Sequence, residues 1–170
     1  MTQLVRPDPS YYESWLESFV EFGHEFKDGS GQHGRVEGEF TRARFEEMVA
    51  DRLAQADPAT VLPPNWVHCT FLWIVEGPVF LGNLAIRHEL TPYLLEQGGH
   101  VGYSVRPGRR REGHARRALA LALPICQDLG IDRVLVTCDV DNDASRRTIE
   151  ANGGVQEDIR EGKRRYWISL

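Results

Sequence analysis

Three arginines, a glutamate and a glycine run into an alanine- and leucine-rich stretch between residues 109 and 124: Arg109, Arg110, Arg111, Glu112, Gly113, His114, Ala115 and onward. The first turn of a helix carries backbone N–H groups with no partner inside the helix, and the helix dipole places partial positive charge there. A phosphate or pyrophosphate suits such a place. Gly113 has no side chain to hold an anion away from the backbone, Ala115 keeps the next turn clear, and the guanidiniums add charge-assisted contacts. This stretch is neither of two other nucleotide sites, because it matches neither Gly-x-x-x-x-Gly-Lys-Ser/Thr nor Gly-x-Gly-x-x-Gly.

The elements that must hold this stretch follow from apolar spacing. Residues 2–7 read as a first strand. Residues 8–26 open on Asp8-Pro9 and repeat Tyr12, Trp15, Leu16 and Phe19 at helical spacing. The glycine-rich polar run 27–38 reads as a mobile loop, and 39–56 as a second amphipathic helix with Phe45, Met48, Val49 and Leu53 on one side. Residues 66–75 and 79–88 flank Glu76-Gly77-Pro78 as a hairpin. After a loop with one helical turn at 89–99, residues 100–107 form a third long strand. The arginine stretch then becomes a helix to about Leu129, which Pro124 is expected to kink. A buried strand ends at Cys138, a helix at 141–154 has an Asp or Asn cap and a glycine stop, and strands 155–160 and 164–170 close the chain. This order predicts a mixed α/β (α+β) domain spanning 1–170 around a twisted sheet.

Composition narrows the function. The 170 residues are 41% hydrophobic and 26% charged, ordinary for a globular domain with one sizeable core. A net charge of -5 argues against bulk nucleic-acid binding, so the arginines form a local patch suited to a small anion. No apolar run reaches the length of a membrane span and the first residues lack a signal-peptide core, so a cytoplasmic location without membrane attachment is expected. Cys69, Cys126 and Cys138 are odd in number and far apart, which predicts reduced, packed thiols and no metal site.

Arg110-Arg111-Glu112-Gly113-His114-Ala115 fits Arg/Gln-x-x-Gly-x-Gly/Ala directly after a strand, and Asn142-x-x-Ser145 opens a helix after the next strand. With this order of elements the chain resembles the GNAT superfamily of acyl-CoA-dependent N-acyltransferases over essentially its whole length. The resemblance implies a sheet of about seven strands with splayed central strands. It implies acetyl-CoA as co-substrate, no metal, and direct transfer of the acetyl group to a small-molecule or peptide amine. Backbone amides of Arg111, Gly113, His114, Ala115 and Arg116 would hold the pyrophosphate, with Arg110 near the nucleotide phosphates. Tyr103, Ser104 and Val105 would pair with the pantetheine arm, the Tyr103 N–H standing nearest the thioester carbonyl. Asn142 and Ser145 would face the arm from the other side. A homodimer is compatible with the resemblance, and the acceptor is not legible.

The chain departs from the family in its proton-transfer groups. Many members have a tyrosine seven positions after the asparagine, and Ile149 stands there. Ser145, Tyr166 or water would then protonate the leaving thiolate. His100 and Glu89 are the candidate bases for the amine, although strand alternation points His100 away from the face of Tyr103. Trp15, Phe19, Phe22, Trp66, Trp73 and Tyr93 are aromatic candidates for acceptor walls, most expected to be core, and Glu21, Glu25 and Glu89 are candidates to attract a cationic amine. The alternative is a non-catalytic CoA-binding domain of the same fold.

Overall fold

Two long strands, β4 (Cys69–Glu76) and β5 (Val79–Arg87), are buried along nearly their whole length because helices cover both of their faces. Leu72, Ile74, Leu81, Leu84 and Ile86 point to one face and pack with Ala118, Leu119, Ala122 and Cys126 of α3 (His114–Asp128). Trp73, Val75 and Phe80 point to the other and pack with α1 (Tyr12–Glu21) and α2 (Arg42–Ala54). The computed structural model describes all 170 residues. β1 (Gln3–Val5) and β6 (Val101–Val105) flank the central pair, giving the antiparallel order β1-β4-β5-β6. A second sheet has the order β7-β9-β8, from β7 (Arg133–Asp139), β8 (Val155–Arg160) and β9 (Lys163–Ser169). Between β7 and β8 lies α4 (Asp143–Glu150).

The predicted mixed α/β architecture is present, and its strands fall into one four-stranded and one three-stranded ladder because β6 and β7 do not pair. The first helix stops at Glu21 rather than reaching residue 26, since Gly23 and His24 adopt left-handed backbone. Nor is the run 27–38 all loop: β3 (Gly34–Arg35) pairs with β2 (Glu25–Phe26) in a short ribbon. α3 continues through Pro124 without a break in the assigned helix. Ala120, whose carbonyl proline deprives of a donor, and Pro124 itself are both exposed residues. An interior proline costs a helix about 3 kcal/mol, and burial of Leu119 alone recovers roughly 1.5–3 kcal/mol. The helix's apolar face therefore outweighs the defect. All three cysteines are free and buried.

Candidate active site

The two ladders meet at a vertex. His100 N–H donates to Leu135 O at 2.8 Å, and Leu135 N–H donates back to His100 Nδ1 at 2.9 Å. Thr137 Oγ1 donates to Gln97 O at 2.6 Å, and Arg87 Nη1 donates to the carbonyls of Gly98 and Gly99, each at 3.1 Å. Past these clips the strands part around a cleft of about 910 Å³, lined by Tyr103, Ser104 and Val105 on one wall and by Thr137, Cys138, Asn142 and Ser145 on the other.

Pairing with β5 decides which β6 amides face the cleft. Arg87 N–H donates to His100 O and Arg106 N–H to Leu81 O. Hydrogen-bonded and non-hydrogen-bonded pairs alternate along an antiparallel ladder. The pairs Asn83–Ser104 and Ala85–Gly102 are therefore hydrogen-bonded, while Leu84–Tyr103 and Gly82–Val105 are not. The amides of Tyr103 and Val105 consequently point into the gap. Ser104 differs from the expectation of three consecutive strand partners: its amide faces β5, and its hydroxyl donates to Asp28 O at 2.7 Å. Val105 O accepts from Arg110 Nε at 3.0 Å, so that guanidinium is held at the rim.

The mouth of the cleft is the start of α3. Arg111 (φ 67°) and Gly113 (φ 81°) are left-handed and turn the chain so that the helix begins at His114 facing the gap. Arg110, Arg111 and Arg116 line the cleft without ion-pair partners. Arg109 is committed elsewhere, to Glu76 and Glu112, each at 3.0 Å. The His114 ring turns inward to Thr2 Oγ1 at 2.9 Å and Glu112 Oε2 at 3.0 Å, which leaves its backbone to the mouth. On the opposite wall Asn142 Oδ1 caps α4 by accepting from Ser145 N–H at 3.0 Å. Ser145 Oγ shares a hydrogen bond of 2.9 Å with the Tyr103 hydroxyl, which bridges the gap. Burial pushes the Tyr103 phenol well above its ordinary range, and likewise raises the Cys138 thiol. Both groups stay protonated at neutral pH, and Cys138 supplies no thiolate nucleophile.

Three groups named for proton transfer are not available for it. His100 is 7% exposed, its Nδ1 lone pair is taken by Leu135 N–H, and burial pulls its pKa down to about 4. It clips the vertex. Glu89 is exposed in the bend after β5 and does not line the cleft, and Tyr166 is spent on Glu150 and Gln156 outside it. Ile149 is fully buried. The unpaired titratable groups lining the cleft from the α1–α2 side are Asp28 and His33, both in the glycine-rich run. Of the aromatic candidates, Trp15, Phe19 and Trp73 are core, Trp66 is exposed outside the cleft, and Tyr93 stands exposed at its edge. Glu21 is bound by Arg106 and Glu25 by Lys27, so neither is free to attract an amine.

The His100 clip makes a pH prediction. Its folded pKa lies below the usual 6.5, so the unfolded chain binds the extra proton between about pH 6.5 and 4. Stability is therefore complete above 6.5 and declines as pH falls, by about 3 kcal/mol in all. His100→Gln keeps an acceptor for Leu135 N–H but cannot titrate. Urea midpoints measured at pH 7 and pH 5 are expected to differ less for the variant than for the natural chain.

A mixed α/β fold whose central strands splay around a cleft, with free strand amides on one wall and a helix start at the mouth, defines the class of acyl-CoA-dependent acyltransferases. Residues 17–155 match the family described as acetyltransferase (GNAT) domain, and the chain belongs to that family. It is similar in structure to the ribosomal-protein-S5-alanine acetyltransferase of Vibrio fischeri, with TM-score 0.71 and 15% identity over 99% of this chain and 92% of that one. Mycobacterium smegmatis RimJ in complex with CoA-disulfide gives 0.69 and 17%, over 99% and 82%. The Salmonella typhimurium acetyl transferase that modifies the N-terminal serine of ribosomal protein L7/L12 gives 0.65 and 14%, over 99% and 95%. No curated relative matches the chain.

Proposed function

We propose that the protein moves an acetyl group from acetyl-CoA to an amine by direct attack within the cleft between β6 and β7. One observation carries this: the Tyr103 and Val105 amides face a gap whose mouth is the start of α3. The residues fit the co-substrate's chemistry. A strand edge suits the peptide-like arm, and a helix start with Arg110, Arg111 and Arg116 at its rim suits the phosphates. Acetyl-CoA would supply the activated acyl group as a thioester. The chain's own part is to orient and stabilise. Tyr103 N–H donates toward the acyl oxygen and favours negative charge developing there. The amine nitrogen bonds to the acyl carbon as the carbon–sulfur bond breaks and its electron pair goes to sulfur. Asp28, His33 or water takes the amine proton. Ser145 Oγ, held by the Tyr103 hydroxyl, offers the leaving sulfur a hydrogen bond where Ile149 offers none.

Calorimetric titration with acetyl-CoA, with ATP as control, tests the reading. Selective binding of acetyl-CoA followed by thiol release with an amine panel is the expected result. Equal binding of ATP would leave only an anion site, and binding with no thiol release for any amine would leave a non-catalytic CoA-binding domain.

A further inference from the structure

None of the backbone amides of residues 111–116 has a main-chain acceptor, so the mouth of the cleft carries a row of unpaired donors. What an amide can grip depends on where its peptide plane points. One plane in this row is held by a side chain. Arg117, in the first turn of α3, reaches back and donates from Nη2 to Glu112 O at 2.7 Å. In a trans peptide the carbonyl and the following N–H point in opposite directions. Holding Glu112 O on Arg117 therefore aims the Gly113 N–H away from that guanidinium. Gly113 lines the cleft, and neither Glu112 nor Arg117 does. Away from the arginine is thus toward the cleft.

Arg117 is itself fixed from a distant part of the chain. Its Nε donates to Thr2 Oγ1 at 2.7 Å, across 115 positions. Thr2 stands just before β1 and is 5% exposed. Having accepted from the guanidinium, the Thr2 hydroxyl donates its own proton to His114 Nδ1 at 2.9 Å, and Arg117 Nη2 faces the same nitrogen at 3.3 Å. Donors on that side set the tautomer: Nδ1 accepts, and Nε2 carries the hydrogen that goes to Glu112 Oε2 at 3.0 Å. Glu112 is held at both ends, its carbonyl by Arg117 and its carboxylate by His114 and by Arg109 Nε at 3.0 Å. Thr2, His114, Glu112 and Arg117 thus close a ring of hydrogen bonds around the turn at Gly113. A glycine at φ 81° has little conformational preference of its own, so the ring supplies the rigidity the turn lacks.

We propose, resting on the acetyl-transfer reading above, that Thr2, His114 and Arg117 are positioning residues for the co-substrate's pyrophosphate. Their side chains act through the turn rather than on the ligand. They keep the Glu112 carbonyl turned inward, so that the Gly113 N–H meets the pyrophosphate already aimed. A donor set in place before binding removes an ordering cost that the complex would otherwise bear. The competing account gives Arg117 no role beyond adding positive charge near the phosphates. Thr2 separates the two, because it is uncharged and does not line the cleft.

The test is calorimetric titration with acetyl-CoA and with S-acetylpantetheine, which keeps the thioester arm and lacks the pyrophosphate and nucleotide. A thermal melt is run on each sample. Thr2→Val is expected to weaken acetyl-CoA by about 5-fold, the worth of one hydrogen bond, and to leave S-acetylpantetheine within about 2-fold. Thr2→Ser restores the hydroxyl and is expected to restore the affinity. Arg117→Lys keeps the charge on an exposed residue but cannot bridge Thr2 and Glu112 together, and it is expected to weaken acetyl-CoA by ~10-fold. Natural affinity in Arg117→Lys would show that the arginine acts only as a charge. That result, equal losses for the two ligands, or Thr2→Ser binding no better than Thr2→Val would overturn the positioning role alone. Failure of the natural chain to bind acetyl-CoA would instead overturn the transfer reading beneath it.

Discussion

Gly113→Val is expected to weaken acetyl-CoA binding by about 100-fold, equivalent to ~2.8 kcal/mol, while the protein stays folded. Gly113 sits at φ 81°, where a β-branched residue is strained, and it is the residue from which α3 departs into the mouth of the cleft. Valine would either keep this turn and set a branched side chain where the pyrophosphate is assigned, or abandon it and turn the first N–H groups of α3 away. Both outcomes strike the ligand before the core. The nearest atom to an added Cβ is Arg117 Nη1 at 2.8 Å, the end of a side chain that must shift against its hydrogen bonds to Thr2 Oγ1 and Glu112 O, each 2.7 Å and each contributing about 1 kcal/mol net. The backbone strain adds roughly 1–2 kcal/mol, and the sum is too little to unfold a domain of this size. Calorimetry with a thermal melt on the same sample checks both halves. An intact melt with unchanged affinity would place the phosphates elsewhere.

Arg106→Met should show the largest loss of stability, about 3 kcal/mol, or roughly 6–12 °C in Tm. Arg106 is 7% exposed where β6 leaves the sheet. Its Nε donates to Glu21 Oε1 at 2.9 Å, Nη2 bonds the same oxygen, and Nη1 donates to Phe80 O at 3.2 Å. Glu21 Oε2 accepts from Gly108 N–H at 3.0 Å, so one carboxylate joins α1, β6 and the turn leading to the mouth. Methionine fills much of the volume but leaves Glu21 Oε1 and Phe80 O without the Arg106 donors, Glu21 keeping only Gly108 N–H. The loss falls at the low end for a buried pair because the Glu21 side chain is 33% exposed and water partly replaces the partner. Arg106 holds the Glu21 carboxyl below its ordinary pKa. Its contribution is therefore complete above about pH 4.5 and is lost as pH falls through the folded pKa, below most of the His100 window. Arg106→Met should flatten the acid limb of stability below pH 4.5 and leave the His100 limb in place. A Tm shift under 2 °C would show that the ion pair contributes nothing to holding α1 on the sheet.

The features legible without coordinates are those whose physics is local. Gly113, Ala115 and the arginines mark a helix start because unpaired amides and dipole belong to the first turn of any helix. Asn142 caps α4 by accepting from Ser145 N–H three residues on, and the apolar runs 66–75 and 79–88 read as a strand hairpin, which the structure has at 69–76 and 79–87. The mouth of the cleft and the order of elements were therefore open to sequence reasoning. Residues paired across long separations were not. Glu21 looks like a solvated helix glutamate until Arg106, 85 positions away, is found against it. His100 looks like a base until Leu135 N–H takes its lone pair. Arg52 looks like one more charge on an amphipathic helix, and only packing shows it buried with an open edge.

By itself the amino-acid order determined the elements of a mixed α/β domain and the phosphate-compatible start of α3, since each rests on contacts within a few residues, whereas the acyltransferase fold came from the resemblance of the whole order to a known family. Tertiary structure decided that the Tyr103 and Val105 amides face the gap while Ser104 does not, because the phase of β6 is set by its register on β5. It also decided that His100 clips a vertex, that Tyr103 and Ser145 share a hydrogen bond across the cleft, and that Arg52 is buried against a small cavity. Each of these depends on which distant group fills a side chain's last hydrogen bond, and no residue type or short spacing carries that information.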